Sequence, residues 1–188
     1  MIDKKSENVS IFGFAGSLRK GSYNKMLLKA AQELSPENVK IEIFDLEGIA
    51  LFNQDLENEP NDKLKIFKEK IKAAVGLLIV TPEYNYSVPG VLKNTIDAAS
   101  RPYGTNPFEE KPIGIMGASI GMIGTARAQY HLRQSMVFLN AYIMNRPEIM
   151  VSFAEKKFDQ TGRLTDEMTR QKVKEFMVAL LKWIFKFK

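Results

Sequence analysis

The sequence predicts an α/β protein with a doubly wound, five-stranded parallel sheet and helices on both faces. Five short runs of apolar and β-branched residues alternate along the chain with five segments in which apolar residues recur at helical spacing. This alternation is typical of parallel sheets whose strands are joined by crossover helices. Five strands rather than six favour the strand order 2-1-3-4-5 over the order of dinucleotide-binding sheets.

The strand candidates are the apolar runs themselves, which are short and rich in Val, Ile and Phe. In chain order they cover Val9–Ala15, Val39–Leu46, Gly76–Thr81, Pro112–Ala118 and Ala141–Val151.

The helix candidates show apolar residues at i, i+3 and i+4. Pro89 suits the first position of the third helix, where a missing N–H costs no hydrogen bond. In the last helix, Val173, Phe176, Leu180, Ile184 and Phe187 align on one face. We place the helices at residues 23–34, 62–75, 89–100, about 124–140 and about 165–187.

The composition indicates one globular domain spanning residues 1–188, with 45% hydrophobic and 26% charged residues. No run approaches the roughly 18 apolar residues of a membrane span, and the charged N-terminus does not resemble a signal peptide. We therefore expect a cytoplasmic protein that does not associate with membranes. The absence of cysteine excludes disulfides and thiol catalysis, and with a single histidine we expect no metal site.

The net charge of +5 comes from basic residues spread along the chain. Because no stripe of Lys and Arg with interleaved aromatics is present, we expect no nucleic-acid partner. The mild positive field favours anionic ligands.

Three loops are expected to meet at the ligand site. In doubly wound sheets, ligands bind beyond the carboxyl ends of the strands, where the strand order reverses. The loops that follow the first, third and fourth strands are loop 1 (residues 17–24), loop 2 (residues 82–89) and loop 3 (residues 119–125).

Loop 1 has the composition of an anion site. It precedes a helix, whose N-terminus offers unpaired N–H groups and roughly half a positive charge. It is not a Walker A loop, because Ser22 stands where the lysine is required, and Gly13 and Gly16 do not fit the dinucleotide fingerprint. The alternative is a polar turn with a capping serine. The side chains able to donate to a phosphate are Ser17, Arg19, Ser22 and Asn24.

Loop 2, PEYNYSVPG with Gly90, suits a planar heterocycle such as adenine or a flavin ring. Its two prolines restrict the backbone, while Tyr84 and Tyr86 offer flat surfaces. The alternative is that Glu83 caps a helix and the tyrosines belong to the core.

Loop 3 carries Ser119, Gly121 and Gly124 before a helix, and its glycines permit close backbone approach to a ligand. The alternative is a flexible turn that touches nothing.

Three further features have a simpler expected role. We expect His131 to lie in mid-helix, away from the three loops. Asp45 ends the second strand, where a dinucleotide enzyme binds ribose, but the missing glycine fingerprint weakens that role. The methionines are expected to fill the core; they include Met116, Met122 and Met136.

Several segments resemble the NADPH-dependent FMN reductases of flavodoxin-like fold, a family that includes bacterial quinone, chromate and azo-dye reductases. These segments are GSLRKGSYN (16–24), FDLEGIALFNQDLE (44–57), TPEYNYSVPGVLKNTIDAASRP (81–102) and GMIGTARAQYHLRQ (121–134). The third is the most specific, with PEYN followed by PG-x-LKN and SRP. One departure is Gly124 followed by Thr125, where many members have a Gly-Gly pair.

The resemblance implies bound FMN, with NADPH or NADH as co-substrate and a homodimer or homotetramer whose flavin site lies near the dimer interface. It implies no catalytic side chain, since the flavin carries the chemistry. The FMN phosphate would be held by Ser17, Arg19, Ser22, Tyr23 and Asn24, the ring would be lined by Pro82, Glu83, Tyr84 and Asn85, and Ser119 and Gly121 would complete the pocket.

The implied activity is hydride transfer from the nicotinamide to FMN and then to a small-molecule electron acceptor such as a quinone, an azo dye, chromate or free flavin. The alternative is a flavodoxin-type electron carrier or an FMN-binding redox sensor. A carrier of this kind has an acidic surface, whereas this chain has a net charge of +5.

Overall fold

The computed structural model describes residues 7–188, and the strands and helices alternate as predicted. The strands are β1 (Val9–Ala15), β2 (Val39–Phe44), β3 (Gly76–Val80), β4 (Pro112–Ala118), β5 (Tyr142–Ile143) and β6 (Ile149–Val151). The helices are α1 (Tyr23–Glu33), α2 (Asp62–Ala73), α3 (Gly90–Ala99), α4 (Ala126–Phe138) and α5 (Glu167–Ile184). Short 3-10 helices occupy Gln54–Leu56 and Ala154–Lys156.

The strands form one parallel sheet in the order β2-β1-β3-β4-β5, and β6 also pairs with β4. The predicted α/β class and the strand order 2-1-3-4-5 are therefore confirmed. The carboxyl ends of β1, β3 and β4 lie side by side at one edge, so loops 1, 2 and 3 are neighbours.

Alternate residues of the central strands pack on opposite faces of the sheet. Ile11 and Leu78 belong to a buried cluster with α1 and α5, whereas Phe12 and Leu77 belong to a second cluster with α2, α3 and α4. Because helices cover both faces, these strands need apolar residues at nearly every position. This burial explains why they read as continuous apolar runs in the sequence.

The predicted fifth strand, Ala141–Val151, is wrong as a continuous element. β5 pairs with Pro112 and Ile113 of β4, and β6 pairs with residues 116–118. Residues 144–148 face only two residues of β4 and therefore bulge out of the sheet. Pro147 lies in this bulge and has no N–H to donate to a strand ladder.

The five predicted helices are confirmed, although their ends differ by a few residues. α3 begins at Gly90, and Pro89 is its N-cap rather than its first residue. α4 begins at Ala126 because Gly124 has φ +65°, which a right-handed helix does not allow. α5 begins after Asp166, whose carboxylate accepts a hydrogen bond from the Thr169 N–H at 2.9 Å.

The longest helix, α5, is amphipathic. Its buried face includes Val173, Phe176, Leu180 and Ile184, whereas Phe187 lies beyond the helix end and is exposed. Of the helices within residues 7–188, none is long and apolar enough to cross a membrane.

A close backbone approach joins the ends of β3 and β4 to the start of α4. A Cβ atom at Gly117 would overlap the Thr125 hydroxyl and the Thr81 carbonyl oxygen. Glycine at this position therefore allows loops 2 and 3 to lie next to each other.

We expect Gly117→Ala to lower the free energy of unfolding by about 1–3 kcal/mol, because the added methyl group forces these backbones apart. Urea unfolding followed by circular dichroism measures the effect. Gly90→Ala is the matched control: it adds a methyl group that meets no atom within 4 Å, so its stability should equal or slightly exceed that of the wild type. Equal stability of the Gly117→Ala variant and the wild type would refute the close-approach role.

Candidate functional site

Loop 1 presents unpaired backbone donors at the start of α1. Ser22 is the N-cap of this helix, and its hydroxyl accepts a hydrogen bond from the Asn24 N–H at 3.2 Å. The buried Ser17 hydroxyl accepts a hydrogen bond from the Arg19 N–H at 3.3 Å. This local bond forms a turn at the start of the loop. In the described part of the chain, the N–H groups of Leu18, Lys20, Gly21 and Tyr23 make no hydrogen bond.

These donors suit an anion. They lie at the positive end of the α1 dipole, where phosphate binding is favoured. The Arg19 guanidinium lies 5.4 Å from the ring centroid of Tyr23, beside the same helix end. The Tyr23 ring in turn packs against Phe158, with centroids 5.6 Å apart. Loop 1 is thus a pre-formed anion cradle with the Arg19 guanidinium beside it.

Asn24 connects α1 to β4. Its side-chain amide donates to the Ala118 carbonyl and accepts from the Ala118 N–H, both at 2.9 Å, and the residue is buried. The sequence pattern predicts that this amide donates to a ligand, whereas in the structure it is hydrogen-bonded to the end of β4. Asn24 therefore holds loop 1 against the strand that leads into loop 3.

Loop 2 contains a tight two-residue turn. Tyr84 and Ser87 exchange two backbone hydrogen bonds, at 3.2 and 3.0 Å, and the residues between them, Asn85 and Tyr86, have φ values of +50° and +62°. Left-handed conformations of this kind are uncommon for residues other than glycine and persist only where their surroundings stabilise them. Tyr84 and Tyr86 are 52% and 66% exposed, so the alternative that they belong to the core is wrong.

The start of α4 stabilises this turn. The Glu83 carboxylate accepts hydrogen bonds from the Ala128 N–H at 3.1 Å and from the Arg127 guanidinium at 3.3 Å. The same guanidinium lies over the Tyr86 ring, 3.8 Å from its centroid. Thr125, the N-cap residue of α4, makes no side-chain capping bond, so Glu83 supplies one from a different loop. The alternative that Glu83 caps a helix is therefore correct.

His131 also contacts loop 2, contrary to expectation. Its Nδ1 atom lies 2.9 Å from the Ser87 hydroxyl. The sequence placed His131 correctly in the middle of α4, but α4 runs alongside loop 2, and this packing brings the imidazole to the turn. The i, i+4 spacing from Arg127 was the available signal, since both side chains lie on one helix face.

Loop 3 is held at both ends by contacts with residues 150 and 151 and with its own backbone. The Ser119 N–H donates to the Val151 carbonyl at 2.9 Å, and its hydroxyl accepts from the Gly121 N–H at 3.1 Å. Gly124 packs closely against the Met150 backbone. Gly121 itself is exposed, and so is Met122, which was expected in the core.

Exposed apolar side chains surround this edge of the sheet. A patch of large exposed apolar side chains in adjoining loops is typical of a ligand or partner site. All three loops contribute to it, through Leu18, Tyr84, Tyr86, Ile120, Met122 and Ile123. By contrast, residues 7–188 contain no cluster of three or more His, Asp or Glu side chains arranged to hold a metal ion.

The arrangement defines a class of protein. An anion cradle after β1 and exposed aromatic and apolar side chains after β3 and β4 offer one place for a phosphate and another for a flat ring. Both groups are present in FMN, and the strand order 2-1-3-4-5 is that of flavodoxin-like proteins.

Comparison with known proteins identifies the family. Residues 9–156 match the model of the NADPH-dependent FMN reductases, and this chain belongs to that family. It is 48% identical over 182 residues to an NAD(P)H-dependent FMN reductase of Pseudomonas aeruginosa, covering 95% of this chain and 97% of the relative. It is 43% identical over 169 residues to a 2-hydroxy-1,4-benzoquinone reductase of a Burkholderia species, covering 90% and 92%.

A solved structure agrees with this assignment. The flavoenzyme NAD(P)H:(acceptor) oxidoreductase FerB of Paracoccus denitrificans superposes with a TM-score of 0.87 at 33% identity, covering 95% of this chain and 98% of that one. An archaeal flavodoxin, at 11% identity and a TM-score of 0.64, shares the fold.

We expect Asn24→Ala to lower the free energy of unfolding by about 2–4 kcal/mol, because it leaves the Ala118 N–H and carbonyl buried without partners. Thermal unfolding with and without FMN measures the effect. The matched control is Asn38→Ala, which removes an exposed amide hydrogen bond to the Glu7 carbonyl and should change stability by less than about 1 kcal/mol. A loss seen only in the presence of FMN would contradict the structural role and favour a phosphate contact.

Proposed function

We propose that this protein is an FMN-containing oxidoreductase that uses NADPH or NADH to reduce quinones or similar small acceptors, such as azo dyes, chromate or free flavin. One observation carries the proposal. The unpaired N–H groups of loop 1 and the exposed rings of loop 2 adjoin at the carboxyl edge of the sheet, in a chain 48% identical to an NAD(P)H-dependent FMN reductase.

Different residues are assigned to the phosphate and to the ring of FMN. We assign the FMN phosphate to Ser17, Arg19 and the free N–H groups of loop 1, while Ser22, Tyr23 and Asn24 shape that loop. For the ring, Pro82, Tyr84, Asn85, Ser119 and Gly121 provide the surface, and Glu83 holds loop 2 against α4. When bound, FMN supplies the hydride chemistry, and the protein supplies position and electrostatics.

The chain's own contribution is orientation and access. Loop 2 keeps Tyr84 and Tyr86 open to solvent, and loop 3 adds the exposed Ile120 and Met122. This apolar rim favours flat, weakly polar molecules, and it gives the nicotinamide and the acceptor one shared surface to occupy in turn. We therefore expect ping-pong kinetics.

Assembly and location follow as parts of the same proposal. α4 carries the exposed Tyr130, Val137 and Phe138, which lie on one stripe at i, i+7 and i+8. Such a stripe beside loop 2 supports a homodimer or homotetramer with the flavin site near the interface.

We also propose that residues 1–188 form one FMN-binding domain that acts in the cytoplasm.

The purified protein is expected to show the visible absorption of a flavin and to lose that colour when NADPH is added without oxygen. Adding a benzoquinone should restore the colour and sustain NADPH oxidation. Parallel lines in double-reciprocal plots would support ping-pong turnover. A flavin that NADPH or NADH cannot bleach would contradict the reductase and favour an electron carrier, whereas bleaching without turnover on any acceptor would favour a redox sensor.

We expect Arg19→Ala to weaken FMN binding about ten- to a hundredfold, since a charge-assisted contact to phosphate contributes roughly 1.5–3 kcal/mol. Fluorescence titration of the apoprotein with FMN, and separately with riboflavin, measures this. Riboflavin lacks the phosphate, so its affinity should not change. Arg146→Ala, which removes an exposed arginine from the bulge between β5 and β6, is the control. Unchanged FMN affinity in the Arg19→Ala variant would exclude the assigned contact.

A further inference from the structure

A cationic side chain, Arg127, lies where loops 2 and 3 meet. It belongs to the first turn of α4, just after loop 3, and its guanidinium lies over the Tyr86 ring of loop 2, 3.8 Å from the centroid. The Arg127 side chain is 38% exposed, whereas that of Glu83, its ion-pair partner at 3.3 Å, is 9% exposed. The positive member of this pair is therefore the one that a ligand at the exposed rings can reach.

The charge of Glu83 is compensated twice, so the pair leaves a positive excess. Its second carboxylate oxygen accepts a hydrogen bond from the Ala128 N–H at 3.1 Å, and this N–H lies at the positive end of the α4 dipole. Apart from Glu83 and Arg127, residues 81–92 and 119–130 contain no Asp, Glu, Lys or Arg. The accessible charge beside loops 2 and 3 is thus the guanidinium.

This guanidinium also retains unused hydrogen-bond donors. Arginine presents several N–H groups in a rigid planar fork, and within residues 7–188 the Arg127 fork donates to Glu83 alone. Because the ion pair and the contact with Tyr86 hold the fork beside an exposed aromatic surface, its remaining N–H groups suit an oxygen of a ligand that lies on that surface. Such contacts are strongest when the oxygen carries a negative charge.

The ring under the guanidinium is held in place before a ligand arrives. Tyr86 has φ +62°, a conformation that persists only where its surroundings stabilise it. Arg127 contacts this residue, and His131, one helical turn further along α4, lies 2.9 Å from the hydroxyl of Ser87, the next residue of the turn. A ligand therefore meets a pre-organised surface and loses little of its binding energy to ordering it.

We propose that Arg127 is a specificity-determining residue, which makes the site favour electron acceptors with a negatively charged oxygen over neutral acceptors of the same shape. Ionised hydroxyquinones and chromate belong to the favoured class, and unsubstituted quinones do not. The inference rests on the proposed function, because it names the acceptors of the same site. The phosphates of NADPH or NADH are the other source of anionic oxygen, and the two half-reactions distinguish them from the acceptor.

The first test is a binding measurement that needs no turnover. Isothermal titration calorimetry of the FMN-saturated protein compares 4-hydroxybenzoate, an anion, with 4-hydroxybenzamide, a neutral molecule of similar shape. The wild type should bind the anion more tightly. Arg127→Ala should weaken binding of the anion about five- to tenfold without changing that of the amide, and Arg127→Lys, which keeps the charge, should restore most of the loss. Arg146→Ala, which removes an exposed arginine from the bulge between β5 and β6, is the control and should have no effect.

Two results of this titration would overturn the proposal. One is equal affinity of the wild type for the two ligands. The other is an equal loss for both ligands in the Arg127→Ala variant, which would show that Arg127 only maintains the shape of loop 2. If that variant does not fold, salt replaces it: the wild-type preference for the anion should shrink as salt screens the charge, and a preference that salt does not change would count against a charge contact.

The second test assigns the contact to one half-reaction. It compares 2-hydroxy-1,4-benzoquinone, whose hydroxyl is ionised at neutral pH, with 1,4-benzoquinone, which is neutral. Arg127→Ala should lower the ratio of their kcat/KM values about five- to tenfold, mainly by raising KM for the anionic quinone. An unchanged ratio together with slower bleaching of the flavin by NADPH would assign the guanidinium to the coenzyme and overturn the proposal. If neither quinone is reduced while 4-hydroxybenzoate binding still depends on Arg127, the proposed activity fails and the anion contact stands.

Discussion

The parallel ladder of β1, β3 and β4 is the constraint on which the rest of this structure depends. Its strands are buried on both faces, so their backbone groups must pair with one another and their side chains must be apolar. Parallel pairing also directs all three carboxyl ends to one edge. Polar and glycine-rich segments that are far apart in the chain consequently meet in loops 1, 2 and 3.

The meeting of these loops is secured by a few specific contacts rather than by the ladder alone. Asn24 ties loop 1 to β4, and Glu83 ties loop 2 to α4. Both residues belong to sequence motifs that predict ligand binding. In the structure they satisfy buried or helix-terminal backbone groups, which positions their neighbours for the ligand. A polar residue in a binding motif thus serves the site by holding the backbone as well as by contacting a cofactor.

The recess formed by the three loops and the groove between α1, the end of β2 and residues 161–162 differ in their chemistry. The first combines free N–H groups and exposed aromatic rings, which suits a flavin mononucleotide, while the second combines lysines with an aliphatic floor. They adjoin at Lys20, which belongs to loop 1 and lines the groove.

The sequence by itself determined the fold class, the strand order and the five helices, because burial of the sheet on both faces imposes apolar runs. It also determined the family, because the loop motifs have a specific sequence. It missed the break in the fifth strand, although Asn145, Arg146, Pro147 and Glu148 interrupt the apolar run and Pro147 has no N–H for the strand ladder. Only the tertiary structure decided that His131 reaches Ser87, that Asn24 binds Ala118 and that Lys25 pairs with Asp45. These contacts join residues between 20 and 94 positions apart, and local periodicity carries no information about which distant surfaces pack together.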